Sequence, residues 1–305
     1  MRVGVSLRSA YMVTDVRVGA RMMIERAKAA SEAGLDSLFV GDHHVTGSPY
    51  YQNSPILGRL LAEWGDAPAG ALYLLPMWHP VLVAEQVGTL ASIAKGRFIL
   101  QCAVGGGTAE FAGMAEDLRE RAARFEASLE IVKRLLAGER VTMPSDSPWP
   151  IVECSTGPRP PDPVEVWIGG VAPKAIDRAA RLGDAWLAGP EHGRLEAKGL
   201  LTTYMERCET HGKIPTAKAI RRDVHVGADD RDAARVADPI VGAGYRGFPP
   251  EAIVTGGPAG VAERFAELAE AGFTDVIVRH LAEDQSEVLR SFERLAEVRR
   301  LVAAL

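Results

Sequence analysis

The sequence predicts an α/β protein of the closed (β/α)8 barrel (TIM barrel) type, and three observations carry that prediction. Short apolar runs that read as strands alternate with segments of helical periodicity along the chain. A joint in which a helix stops at glycine and an apolar strand follows recurs. Ala33-Gly34-Leu35-Asp36-Ser37-Leu38-Phe39-Val40 is echoed by Ala271-Gly272-Phe273-Thr274-Asp275-Val276-Ile277-Val278, with looser copies around Gly96 and Gly183. Strands expected to begin near residues 2, 36, 69, 98, 164, 184, 219 and 275 number eight, the count that closes such a barrel. An open doubly wound sheet is the alternative.

In order, Arg2-Val3-Gly4-Val5-Ser6-Leu7 reads as a strand rather than a basic leader. Ala20, Met23, Ala27 and Ala30 then fall at helical spacing up to Gly34, where a left-handed cap is wanted. A strand over 69–75 precedes a helix over 79–94, and a strand over 98–104 empties into Gly105-Gly106-Gly107. Leu118, Ala122, Phe125, Leu129, Val132 and Leu136 form one apolar helical stripe closed by Gly138. The proline-rich stretch 143–163 is too long for a plain connection and is expected to be an irregular excursion over one face. Strands over 164–168 and 184–188, a helix over 173–182 and another over 194–211 come next. Residues 227–257 form a second irregular region, with a short helix over 231–236 and a glycine-rich loop over 242–247. A helix, a strand over 275–280 and a last helix complete a single expected domain over 1–305.

Composition narrows the function. A formal net charge of −5 without a dense basic run argues against nucleic acid as the main partner. Three widely spaced cysteines exclude a disulfide framework and suit a reducing, cytoplasmic setting. No apolar run reaches spanning length, so no membrane is expected.

The chemistry gathers at Asp42-His43-His44, expected where the second strand opens into a polar loop carrying Tyr50. Two imidazoles beside a carboxylate offer acid/base work, a grip on a ligand or a metal site. A metal is not expected, because the first strand has no His-x-His pair and His79, His192, His211 and His225 form no spaced ligand set. Gly105-Gly106-Gly107-Thr108 lets a flat ring or a phosphate approach the backbone. Gly169-Gly170-Val171, just before Pro173 and Lys174, reads either as a tight turn or as a phosphate site at a helix start.

These pieces together resemble the bacterial luciferase-like family of flavin- or deazaflavin-dependent oxidoreductases. The resemblance rests on the Gly34–Val40 joint followed by Asp42-His43-His44, on Leu75-Pro76-Met77-Trp78-His79-Pro80, and on Gly105-Gly106-Gly107-Thr108-Ala109-Glu110-Phe111. Val166-Trp167-Ile168-Gly169-Gly170 and Ala180-Arg181-Leu182-Gly183-Asp184-Ala185-Trp186 complete it, while 227–257 carries no family signal. It implies a cofactor across the C-terminal mouth, with Asp42, His43, Leu75, Pro76, Gly105, Gly106, Gly107, Thr108, Gly169, Gly170, Val171, Gly189 and Pro190 around it. His44 is the first catalytic candidate and His43 the second, one facing the ring and the other held by Asp42 or Thr46. Tyr50, Trp149 and His280 are expected on the substrate side.

The resemblance implies a monooxygenase using reduced FMN and oxygen on a small organic substrate, with a flavin reductase supplying the cofactor. The alternative is hydride transfer with the deazaflavin coenzyme F420; a non-catalytic flavin-binding protein is a further one. A homodimer is expected, with the helices over 79–94 and 118–136 as contact surfaces.

Overall fold

A computed structural model of the protein describes residues 1–304. The chain forms the expected closed parallel barrel with helices between the strands. Its strands are β1 (Arg2–Leu7), β2 (Leu38–Val40), β3 (Ala69–Leu74), β4 (Phe98–Ala103), β5 (Val141–Met143), β6 (Ile151–Cys154), β7 (Glu165–Gly169), β8 (Ala185–Ala188), β9 (Ala217–Val226), β10 (Val254–Gly256) and β11 (Asp275–His280). The order is β10-β9-β11-β1-β2-β3-β4-β7-β8, and a β8–β9 pairing closes it. The barrel strands are the eight read from the sequence; β5, β6 and β10 lie outside that reading.

Packing divides the chain into two compact units. The first comprises Met1–Arg8, Arg17–Phe39 and Trp167–Leu305. In it β1 pairs with β11 so that Val3 and Val5 lie opposite Val276 and Val278, and β11 in turn pairs with β9. Gly34 (φ +69°) and Gly272 (φ +105°) take the conformation the repeated joint requires, which a residue with a Cβ adopts only at a cost. Asp36, just after the first of these glycines, accepts the Val3 N–H at 2.7 Å and pairs with Arg299 at 2.6 Å. The joint therefore ties strand, loop and last helix together. The region expected to be irregular holds the helix Asp230–Gly242, two short turns and β10, which pairs parallel with the end of β9.

The second unit comprises Ser9–Val16 and Val40–Val166. β3 and β4 run in register from Ala69 opposite Phe98 to Leu74 opposite Ala103. The helix Arg121–Leu136 buries Phe125, Leu129 and Val132, part of the stripe read from the sequence. A helix over Asn53–Leu60, which the sequence reading leaves out, covers β3. The excursion is not irregular throughout: β5 and β6 form an antiparallel hairpin. Its Val141, Trp149 and Ile151 pack with Ile131 and Leu135 of the neighbouring helix.

Candidate active site

β2 ends at Val40, and the backbone turns at Gly41, where a side chain would press on the Tyr50 hydroxyl. Asp42 follows and is buried. One of its oxygens accepts the Leu74 N–H and the Trp78 indole N–H, both at 2.8 Å. Leu75 and Pro76 are buried within the short turn Leu75–Met77. This turn brings the end of β3 and the Trp78 ring onto Asp42.

The two histidines have different settings, and each meets a carboxylate. His44 is 12 % exposed, with Nε2 3.3 Å from the second Asp42 oxygen. That ring N–H is not aimed at the oxygen, so the two attract without a well-formed hydrogen bond. Asp42 within hydrogen-bonding reach still raises the His44 pKa above its usual value, against the opposing effect of burial and with help from Glu110. His43 is 53 % exposed, and its Nδ1 lies 2.7 Å from the buried carboxylate of Glu110. The same Glu110 oxygen accepts the His44 backbone N–H at 2.7 Å. Neither histidine is held by Thr46, whose hydroxyl donates to the Ser48 carbonyl. Tyr50 stands edge-on to His43 at 6.0 Å.

Glu110, part of the Gly105–Phe111 motif in the sequence, is the carboxylate that meets both histidines. It sits on the short helix Thr108–Gly113, and β4 delivers that helix through Gly105. Gly105 has φ +68°, and a Cβ there would crowd Met77 and Phe111 at 3.1 and 3.2 Å. Gly106, Gly107 and Thr108 lie open beyond it. The glycine run thus provides exposed backbone and aims a carboxylate at the histidine loop.

The remaining expected residues each have their own surroundings. Trp149 is 9 % exposed, donates its indole N–H to the Arg124 carbonyl at 3.1 Å and lies beneath the Arg124 guanidinium. Packing against the neighbouring helix accounts for its position. His280 is buried against Phe292 with ring centroids 4.3 Å apart. Burial, reinforced by Arg26 and His225, lowers its pKa to about 3. It faces the helix layer because neighbouring strand residues point to opposite sides; Arg279 takes the other face. Gly170 has φ +145°, and its carbonyl accepts the Trp186 indole N–H at 2.7 Å just before the helix Pro173–Leu182. Val171 follows it in this turn. Pro190 is buried, and the Glu191 carboxylate occupies the space a side chain at Gly189 would need. An acid there opposes a phosphate. Among the described residues, no group of three or more His, Cys, Asp or Glu is placed to hold a metal ion. No described helix is long and apolar enough to cross a membrane.

Residues 1–252 match the model of the luciferase-like monooxygenase family. The chain belongs to that family. Within it, the chain is 29 % identical over 219 residues to an F420-dependent glucose-6-phosphate dehydrogenase of Kribbella flavida, covering 68 % of this chain and 65 % of that relative. The chain thus spans just under two thirds of that relative's length. Two solved structures share the fold at 17 % identity and a TM-score of 0.81. One is an F420-dependent secondary alcohol dehydrogenase in complex with an F420-acetone adduct, matched over 99 % of both chains. The other is the oxygenating constituent of 3,6-diketocamphane monooxygenase from Pseudomonas putida in complex with FMN, matched over 100 % of this chain and 98 % of that one.

Proposed function

We propose that this luciferase-like protein is a deazaflavin-dependent oxidoreductase that moves a hydride between coenzyme F420 and a small carbinol or carbonyl substrate. His43 is its proton-transfer group. The observation that carries the reading is the His43–Glu110 pair, a half-exposed imidazole anchored at 2.7 Å on a buried carboxylate. Donation from Nδ1–H to Glu110 fixes the tautomer and leaves the Nε2 lone pair free to take a proton. As an alcohol is oxidised, the hydroxyl proton passes to His43 while the carbon gives up a hydride. In the reverse direction His43 returns the proton to the carbonyl oxygen.

The residues present fit such a cofactor. The left-handed Gly105 and the open Gly106 leave room at the β4 tip where a side chain would crowd Met77 and Phe111, and Glu110 and His43 meet beside that turn. When bound, the deazaflavin supplies a two-electron hydride acceptor or donor and does not activate oxygen. Gly105–Thr108 would border its ring. His44 and Asp42 hold the loop: the carboxylate fastens β3 and Trp78, and the imidazole lies against it.

We favour F420 over the reduced FMN and oxygen that the family resemblance implies. A relative found by sequence is named for F420, whereas FMN enters only through a shared fold. A flavin reductase partner belongs to the FMN reading alone. A cytoplasmic homodimer remains part of the proposal, since Leu82 and Ile93 are exposed large apolar residues on one face of the helix Pro80–Ile93.

Quenching of tryptophan fluorescence by F420 and by FMN tests the cofactor, with tight binding of F420 expected. Turnover tests the pair, using glucose 6-phosphate and a secondary alcohol as trial substrates. His43→Ala should lower turnover by about 10²–10⁴-fold, the usual contribution of a positioned acid/base, with F420 affinity kept. Glu110→Gln should lower it less. Wild-type turnover in His43→Ala would remove His43 from the chemistry.

A further inference from the structure

The segment between β9 and β10 lacks a family motif, yet it completes a charged cluster within its unit. β9 carries Arg221 and Asp223 on one face, and β11 sets Arg279 opposite Asp223 in register. The turn Tyr245–Gly247 adds two more groups, and Gly244, Arg246 and Gly247 all have positive φ there. A left-handed arginine (φ +51°) between glycines is a conformation the chain does not adopt freely. Here it directs a guanidinium at Asp223.

Asp223 is fully buried, with Arg221 Nε at 3.1 Å, the Tyr245 hydroxyl at 2.9 Å and Arg246 Nη1 at 3.2 Å. Arg246 also rides 4.8 Å over the Phe248 ring and keeps 41 % of its side chain exposed. One carboxylate therefore answers three guanidiniums, leaving the cluster two positive charges in surplus. Arg221 Nη2 and Arg279 Nε are buried with no hydrogen-bond partner. Burial first, and then the neighbouring Arg221, pulls the Arg279 pKa down to about 10, which still leaves it charged at neutral pH. Buried guanidiniums without partners are costly, and planar forks of this kind match the oxygens of carboxylates and phosphates.

We propose that Arg221, Arg246 and Arg279 form a binding site for an oxyanion, the phosphate or carboxylate group of a small molecule, with Asp223 and Tyr245 orienting the guanidiniums. The site stands on these residues alone and is independent of the cofactor reading.

Calorimetric titration of the full-length protein with inorganic phosphate, and separately with acetate, tests it. Saturable binding of at least one anion is expected, and the tighter one names the group. Arg246→Gln, on an exposed turn, should raise its Kd about tenfold or more with an unchanged circular dichroism spectrum. Arg279→Met should abolish binding; if that variant fails to fold, Arg246→Gln carries the test alone. Absence of saturable binding, or unaltered affinity in Arg246→Gln, would overturn the site. So would phosphate binding lost in Gly170→Asp but kept in Arg246→Gln, which would assign the anion to the turn after β7.

Discussion

Asp42 and Asp223 are both buried carboxylates near strand ends, and their surroundings make them different devices. Asp42 rests on two neutral donors, the Leu74 N–H and the Trp78 indole, and faces an imidazole whose pKa it raises. With Glu110 and His43 nearby, its region pairs carboxylates with imidazoles, the combination from which acid/base work is built. Asp223 sits among arginine guanidiniums and offsets their charge. The partners, more than the residue type, decide whether a buried acid serves proton transfer or charge balance.

The sharpest way to break this comparison is to neutralise each acid in turn. Asp223→Asn leaves three guanidiniums without a counter-charge and should cost about 3–5 kcal/mol, the range for breaking a buried ion pair. Asp42→Asn keeps an oxygen to accept from Leu74 and Trp78 and should cost about 1–2 kcal/mol. Urea unfolding midpoints measure both, and equal losses would erase the distinction.

A smaller effect separates histidines that are paired from one that is not. His280 has its pKa lowered to about 3, so the folded state binds fewer protons than the unfolded chain below the ordinary value of 6.5. Stability should therefore fall by about 1.4 kcal/mol for each pH unit as pH drops below 6.5. Replacing His280 by Phe should flatten that slope in pH-dependent thermal unfolding. A wild-type slope in the variant would show that the acid sensitivity arises elsewhere.

The smallest change concerns His44, with the opposite sign. Its folded pKa is raised, so the stability it adds is fully present below 6.5 and is lost as pH rises through the folded pKa. An NMR titration should place the His44 ring above 6.5 in the native protein and lower in Asp42→Asn. An unchanged midpoint in the variant would mean that Asp42 is not the cause.

By itself, the sequence determined the barrel and the position of its Asp-His-His segment just past a strand end. Period and punctuation are local properties. The Gly34 and Gly272 joints and the stripe on the helix Arg121–Leu136 are encoded by residues a few positions apart. So is the Asp42-His43-His44 strand tip. What only the tertiary structure decided depends on residues far apart in the chain. Glu110 reaches His43 across 67 positions, because β2 and β4 bring their ends to one place, and no local pattern specifies that pair. Three-residue strands such as β5 and β10 are too short to show a period, and they form because partners already in place accept them. Trp149 and His280 look like loop or strand-tip residues in the sequence, but packing buries both, because a side chain's direction is set by the elements that surround it. The arginine cluster is the extreme case: Arg221, Arg246 and Arg279 are unremarked charges along the chain, and parallel pairing of β9 with β11 gathers them around one carboxylate.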